Sequence, residues 1–171
     1  LLKKYSINLK ILSNRQLISN NIQSRAREIR YDLLKNFCKK FRISTIITAH
    51  NLEDQVETFF IRLSRGSGLH GLSAMRAIYS LEKNIRLFRP LLDYKKAELI
   101  KISKKIFGKY YKDPSNNNNK YLRTRIRQLK KPLEKSGINY DQIFKSIKNL
   151  SSSRDTLDLY FEKIYNELIK K

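Results

Sequence analysis

Apolar and polar positions fall along this chain in blocks of two different periods. From Ile22 to Phe41 the residues Ile22, Ala26, Ile29, Leu33 and Phe37 step by four, three, four and four, which predicts an amphipathic helix. Ile43 to Ile47 is a short β-branched run of the kind that makes a buried strand. From there Leu52, Val56, Phe59, Phe60 and Leu63 recur at helical spacing as an apolar stripe. Asn51 stands just before them, with a side chain suited to accept an N–H bond from the first turn. Upstream, Leu1 to Ile7 reads as a helix end entering a strand at Asn8 to Leu12, followed by a polar loop from Ser13 to Asn21.

Past Met75 the pattern predicts a loop to Asn84, then a strand at Ile85, Leu87 and Phe88 stopped by Pro90. Lys95 to Phe107 reads as a helix with Leu99, Ile102 and Ile106 on one face. Lys112 to Asn119 is asparagine-rich and reads as a loop. Tyr121 to Ser136 predicts a helix with Ile126, Leu129 and Leu133 inward, bent or ended at Pro132. Gly137 breaks the pattern, and Tyr140 to Leu150 and Arg154 to Ile169 make one or two further helices. Strand, helix, strand, helix in succession favours a parallel α/β sheet. The chain thus divides into an α/β part over residues 1–110 and a basic helical part over 111–171.

Charge changes the picture only in part. The formal net charge is +22, which raises the prospect of a polyanionic partner such as RNA, DNA or an acidic membrane surface. Ile, Lys and Asn make up 57 of 171 residues, a bias that an AT-rich genome produces without functional demand. The arginines are more telling, because they cluster at Arg25, Arg27, Arg30 and at Arg123, Arg125, Arg127. Cys38 is the one cysteine, so no disulfide forms within the chain, which suits a reducing compartment. No apolar run approaches the ~20 residues of a membrane span. The chain opens on Leu1 and its only methionine is Met75, so the sequence reads as a piece of a longer product.

Candidate chemistry gathers between Thr48 and Met75. Asp54 and Glu57 are three apart and share a face near the start of their helix. Carboxylates there also complement the helix dipole. His50 follows the strand's carboxyl end, where ligands bind in open α/β sheets. Arg65-Gly66-Ser67-Gly68 closes the helix with glycines that permit left-handed turns.

The stretch TAHNLEDQVETFFIRLSRGSGLHGLSAM resembles the signature of tRNA(Ile)-lysidine synthetases, a family of PP-loop ATPases. The family pattern is a His-His-x-Asp-Asp-Gln-x-Glu-Thr block followed by Arg-Gly-Ser-Gly-x-x-Gly-Leu. His50, Asp54, Gln55, Glu57, Thr58, Arg65, Gly66, Ser67, Gly68, Gly71 and Leu72 match it, while Asn51 and Glu53 depart from the usual His and Asp. Gln23, Ala26, Arg27, Arg30 and Tyr31 match a second block, and Tyr121 to Arg127 resembles a Tyr-x-Arg-Asn-x-Ile-Arg segment with Thr124 in place of Asn.

The resemblance implies a partial Rossmann-like sheet of the PP-loop (adenine nucleotide alpha hydrolase-like) type, followed by a mostly helical C-terminal region. It implies an ATP-dependent carbon–nitrogen ligase that joins L-lysine to C2 of the wobble cytidine of tRNA(Ile), with ATP and Mg²⁺ required. It places Asp54, Glu57 and Arg30 in catalysis, and Asp54 and Glu57 on lysine, with Asp54 also on the metal. His50, Arg27, Arg30 and Arg65 then fall to ATP, and Arg123, Arg125 and Arg127 to tRNA. It further implies a cytoplasmic setting, or an organellar matrix or stroma. Family members open with a Ser-Gly-Gly-x-Asp-Ser phosphate loop, and none stands in these 171 residues. The chain by itself is therefore expected to be inactive. Two alternatives follow: another PP-loop tRNA-modifying enzyme such as a thiolase, for which a single cysteine is a poor start, or a non-catalytic RNA-binding remnant.

Overall fold

The computed structural model describes residues 2–14, 22–111 and 121–169. The expected asparagine-rich loop at Lys112 to Asn119 and all but the first two residues of the loop at Ser13 to Asn21 lie outside these. The chain forms two compact units, Leu1–Thr48 with Ala77–Arg89, and Ala49–Arg76 with Pro90–Lys171. The chain passes between the units after Thr48, Arg76 and Arg89, and none of these three points falls near residue 110.

The first unit is a small sheet with a helix. Helix α1 spans Ile22–Phe41 and matches its predicted limits. Strand β1 (Thr45–Ile47) pairs in parallel with β3 (Ile85–Phe88), placing Thr45 opposite Arg86 and Ile47 opposite Phe88. Strand β2 (Ile78–Glu82) pairs antiparallel with β3, with a bulge between Ser80 and Glu82, so the order is β1-β3-β2. Cys38, Ile46, Ile85 and Leu87 form the core, with Tyr31, Leu34 and Leu81 against it.

Two expectations fail here. The segment read as a loop up to Asn84 contains β2. Its Ile78 and Tyr79 are both exposed, so neither face alternates, and the hairpin with β3 makes the strand. The predicted strand at Asn8 to Leu12 takes neither helix nor strand form, and Leu9 and Ile11 are exposed. A strand needs a partner for its backbone groups and a face to bury; among the described residues this segment has no ladder partner.

The second unit is helical. It comprises α2 (Leu52–Leu63), α3 (Leu69–Leu72), α4 (Lys96–Phe107), α5 (Leu122–Gln128), α6 (Lys130–Lys135) and α7 (Tyr140–Ile169). Leu52 and Val56 of α2 meet Tyr140, Ile143 and Ile147 of α7 and Ala74, with Phe59, Phe60, Leu133 and Phe144 packed around them. Each fully buried aliphatic side chain contributes roughly 1.5–3 kcal/mol, so this seam fixes α2 in place. The helix expected over 121–136 is two helices broken at Leu129, not at Pro132. Proline sits in the first turn of α6, where an N–H has no partner within the helix anyway. Leu129 is exposed, unlike Ile126 and Leu133. Gly137, at φ +87°, turns the chain into α7, which runs unbroken. Ile102 and Ile106 of α4 face outward, and Leu63 of α2 is exposed. Among the described residues no helix is long and apolar enough to cross a membrane.

Candidate active site at the start of α2

Asn51 caps α2 as its sequence position predicts, and the cap is reciprocal. The Asp54 N–H donates to Asn51 Oδ1 at 3.1 Å, and the Asn51 N–H donates to Asp54 Oδ2 at 3.1 Å. This leaves Asp54 Oδ1 outside the cap, 3.9 Å from Arg127 Nη2. Glu53, the residue departing from the family's Asp, accepts the Lys96 N–H at 2.8 Å and lies 3.9 Å from Lys130 Nζ.

One turn further on, Glu57 is almost wholly buried, at 3% exposure. Arg127 grips it with two bonds, Nε to Oε1 at 2.6 Å and Nη2 to Oε2 at 3.1 Å. Arg123 Nε approaches Oε2 to 3.0 Å without hydrogen-bond alignment, and its Nη2 donates to Thr58 Oγ1 at 3.1 Å. Two carboxylates and two guanidiniums thus form a formally neutral cluster between α2 and α5. Burial pushes the Glu57 carboxyl above its ordinary range, against the pull of the Arg127 bond and of the Arg127 and Arg123 charges. The Glu57 bond in turn raises Arg127.

The segment after α2 is fastened side chain by side chain. Gln55, buried on α2, accepts the Met75 N–H and donates to the Met75 carbonyl, both at 2.8 Å. Arg62 donates to the carbonyls of Gly71 at 2.9 Å and Ala74 at 2.8 Å. Ala74 holds φ +54°, a conformation that costs a non-glycine residue free energy and persists because these bonds fix both sides of it. Gly66 has φ +67° as its place after α2 predicts. Gly71 is required by space, since a Cβ there would lie 2.4 Å from Ser67 Cβ. Arg154, buried on α7, donates to Ser73 Oγ at 2.7 Å.

Of the predicted site residues, the structure brings together Asp54, Glu57, Arg123 and Arg127. His50 directly precedes the cap and is half-buried, Arg65 is exposed in the turn after α2, and Arg125 is exposed on α5. Arg27 and Arg30 belong to the other unit. Arg27 stacks over the Tyr31 ring at 5.1 Å. Arg30 and Lys10 edge a groove of about 420 Å³ whose apolar wall includes Leu12, Ile29 and Leu33. Sequence reasoning missed Gln55, Arg62 and Arg154 as fasteners. The motif match at Gln55 was the one available signal.

Among the described residues no three His, Cys, Asp or Glu side chains converge as a metal site. Mg²⁺ needs only one or two carboxylates alongside phosphate oxygens, and Asp54 Oδ1 fits that smaller demand.

A family model described as a PP-loop domain matches residues 1–133. The chain is similar to the tRNA(Ile)-lysidine synthase of Orientia tsutsugamushi, 41% identical over 152 residues that cover 89% of this chain and 34% of that protein. It is 36% identical over 155 residues to that of Wolbachia pipientis wMel, covering 91% and 36%, and 43% identical over 111 residues to that of Rickettsia typhi, covering 64% and 25%. The chain therefore spans about a third of the length of the first two relatives. Among solved structures it resembles the U34-tRNA thiolase NcsA from Methanococcus maripaludis with its 4Fe-4S cluster, at a TM-score of 0.65 and 18% identity, over 88% of this chain and 53% of that one. At that identity the likeness is one of fold.

Proposed function

This chain belongs to the PP-loop domain family, and on that premise we propose that the protein carrying it ligates lysine to the wobble cytidine of tRNA(Ile). ATP activates C2 of the base by adenylylating its carbonyl oxygen, with loss of pyrophosphate, and the lysine amine then bonds to C2 and displaces AMP, which carries that oxygen away, to give lysidine. The tRNA thereby changes from reading AUG to reading AUA. The observation that carries this reading is the similarity to lysidine synthases across about nine-tenths of the chain.

The geometry of α2 supports a division of labour. Asp54 keeps one carboxylate oxygen outside the helix cap, suited to a cation, whether Mg²⁺ or the lysine ammonium. Bound Mg²⁺ supplies charge neutralisation at the phosphates of ATP. Glu57 is already held by Arg127 and faced by Arg123, so its first role is to hold two guanidiniums beside Asp54. Those guanidiniums are one-third exposed and suited to phosphate, of ATP or of the tRNA backbone. Arg30, with Lys10 on an apolar groove, suits a nucleotide with its phosphates. A thiolase reading is favoured by the fold neighbour alone. This chain offers it one thiol, Cys38, which is buried and whose burial disfavours the thiolate.

Mass spectrometry of digested tRNA(Ile), after incubation of the protein that carries this chain with ATP, lysine and a sulfide donor, tests the proposal. Lysidine at the wobble position is the expected product. A thiolated nucleoside would assign the thiolase chemistry, and unchanged tRNA that is nevertheless bound would assign the RNA-binding remnant.

A further inference from the structure

Tyr140 opens α7, and Asn139 sets it in place by capping that helix, accepting the Gln142 N–H on Oδ1 at 2.9 Å. The ring packs with Leu52 and Val56 of α2, is 5% exposed, and has the Lys130 ammonium 5.0 Å from its centroid. That ammonium also lies 3.9 Å from Glu53 Oε1, so the ring stands beside the face that Glu53 and Glu57 share, four residues apart on α2. The Tyr140 hydroxyl is buried and makes no hydrogen bond among the described residues. A buried donor left unmade is unfavourable, and such groups are few in folded proteins. Phenylalanine would fill the same space without that cost.

A second buried donor at this place is also unmatched. Arg123 Nε lies 3.0 Å from Glu57 Oε2 without hydrogen-bond alignment. Arg127 supplies two aligned bonds to Glu57, and its side chain is 30% exposed. Its guanidinium therefore meets two demands. It suits a phosphate, yet Glu57, at 3% exposure, would be left charged and unpaired if the guanidinium turned away. A buried carboxylate abandoned in this way is strongly destabilising, so the exchange needs another donor. The phenol meets that need. Burial, with the Glu57 and Glu53 charges acting the same way, pushes its pKa up to about 12, so it stays a neutral donor.

We propose that the Tyr140 hydroxyl takes over Glu57 when Arg127 turns to a phosphate of the tRNA backbone, which makes Tyr140 a positioning residue for the arginine that grips the RNA. The inference rests on the reading of tRNA(Ile) as the partner. Helix α5 favours backbone phosphates over those of ATP, because the exposed Arg125 stands between Arg123 and Arg127, three guanidiniums in five residues along one helix. The step moves hydrogen bonds only. Glu57 loses the Nε and Nη2 donors of Arg127 and gains the phenol O–H, while Arg123 Nε comes into line with Oε2. Glu57 keeps a partner in both states, and the guanidinium is released without stranding a charge.

Filter binding of tRNA(Ile) across a salt series tests the exchange, with the protein that carries this chain and its Tyr140→Phe variant. Phenylalanine keeps the ring, its packing and its contact with Lys130. Without tRNA, Tm is expected to be unchanged or raised, because the hydroxyl removed has no partner there. With tRNA, affinity is expected to fall roughly tenfold, the scale of one charge-assisted contact. The log–log salt slope is expected to fall by roughly 0.7–0.9, because Arg127 stays on Glu57 and one phosphate contact is lost. Affinity that falls at an unchanged slope would mean that the neutral phenol touches the RNA itself, and overturns the exchange. So does full affinity at full slope, a lowered Tm in the variant, or a loss confined to ATP affinity measured by calorimetry. In each of these cases wild-type binding leaves the tRNA reading standing, whereas a wild type that binds no tRNA(Ile) removes both.

Discussion

Arg127 Nε donates to Glu57 Oε1 at 2.6 Å, joining two residues seventy positions apart and tying the basic helix α5 to the start of α2. Breaking a buried ion pair by removing one partner costs roughly 3–5 kcal/mol. The Arg127 side chain is 30% exposed, which puts this pair below that range. Glu57→Ala is expected to cost about 2 kcal/mol, or roughly 4–8 °C in Tm for a chain of this length. A double-mutant cycle with Arg127→Met, read by thermal unfolding, is expected to show coupling between the two positions. Additive losses would mean that the pair carries no shared energy.

The same burial sets a pH dependence with a definite sign. Glu57 titrates higher in the folded chain than in the unfolded one, so the folded state binds its proton first as pH falls. Its contribution to stability therefore falls as pH rises through the window between the ordinary carboxylate value and the raised one. Glu82, held low by Lys39 and Lys35, works in the opposite sense: its contribution is present above the ordinary carboxylate value and is lost as pH falls through the depressed one. Denaturant titrations at several pH values are expected to show that Glu57→Gln removes a slope of stability falling with pH. An unchanged profile would place the Glu57 carboxyl at its ordinary value.

The three arginines of α5 part company in their expected effects. Arg125 is exposed, whereas Arg123 and Arg127 face Glu57. Arg125→Ala is expected to lower the log–log salt slope of tRNA binding by roughly 0.7–0.9 with Tm unchanged, the mark of one lost phosphate contact. Arg127→Ala is expected to lower Tm as well. Filter binding across a salt series, beside thermal melts, separates the two. An Arg125→Ala variant with full slope would make that side chain a bystander.

How far the sequence reveals this site depends on range in the chain. The cap at Asn51, the stripe of Leu52 and Val56, the turn at Gly66 and the limits of α1 were all legible, because each is written within a few residues. That Glu57 and Asp54 share a face was legible from spacing. That Arg123 and Arg127 come to Glu57 was not, because no local pattern encodes a contact across some seventy residues; as a basic helix they read as an RNA surface. Strand β2 was hidden because an exposed edge strand has no buried face to alternate. The segment at Asn8 to Leu12 shows the converse, with strand-like alternation and no ladder partner among the described residues. Ile102 misled for the same reason: helical spacing marks a face without saying what covers it.

Gly71 gives a test of the loop after α2. A Cβ at this position meets only Ser67 Cβ at 2.4 Å and Ser67 Oγ at 2.9 Å. Gly71→Ala is expected to cost about 1–3 kcal/mol from overpacking. Adding Ser67→Gly removes both clashing atoms and is expected to recover part of that loss in thermal melts. No recovery would mean that the backbone at residue 71, and not the Ser67 side chain, is the constraint.

Lysine transfer at the start of α2 is tested most directly by Asp54→Asn. Asparagine keeps an oxygen for the Asn51 N–H, so the cap persists while the carboxylate charge is gone. The measurement is transfer of radiolabelled lysine to tRNA(Ile) by the protein that carries this chain, with and without ATP. The predicted result is ATP-dependent transfer by the wild type, lowered roughly 10²-fold or more in Asp54→Asn, the scale of a lost electrostatic contact to reacting groups, with Tm nearly unchanged. Full transfer by Asp54→Asn, or no transfer by the wild type with ATP, lysine and tRNA(Ile) all supplied, would contradict the account.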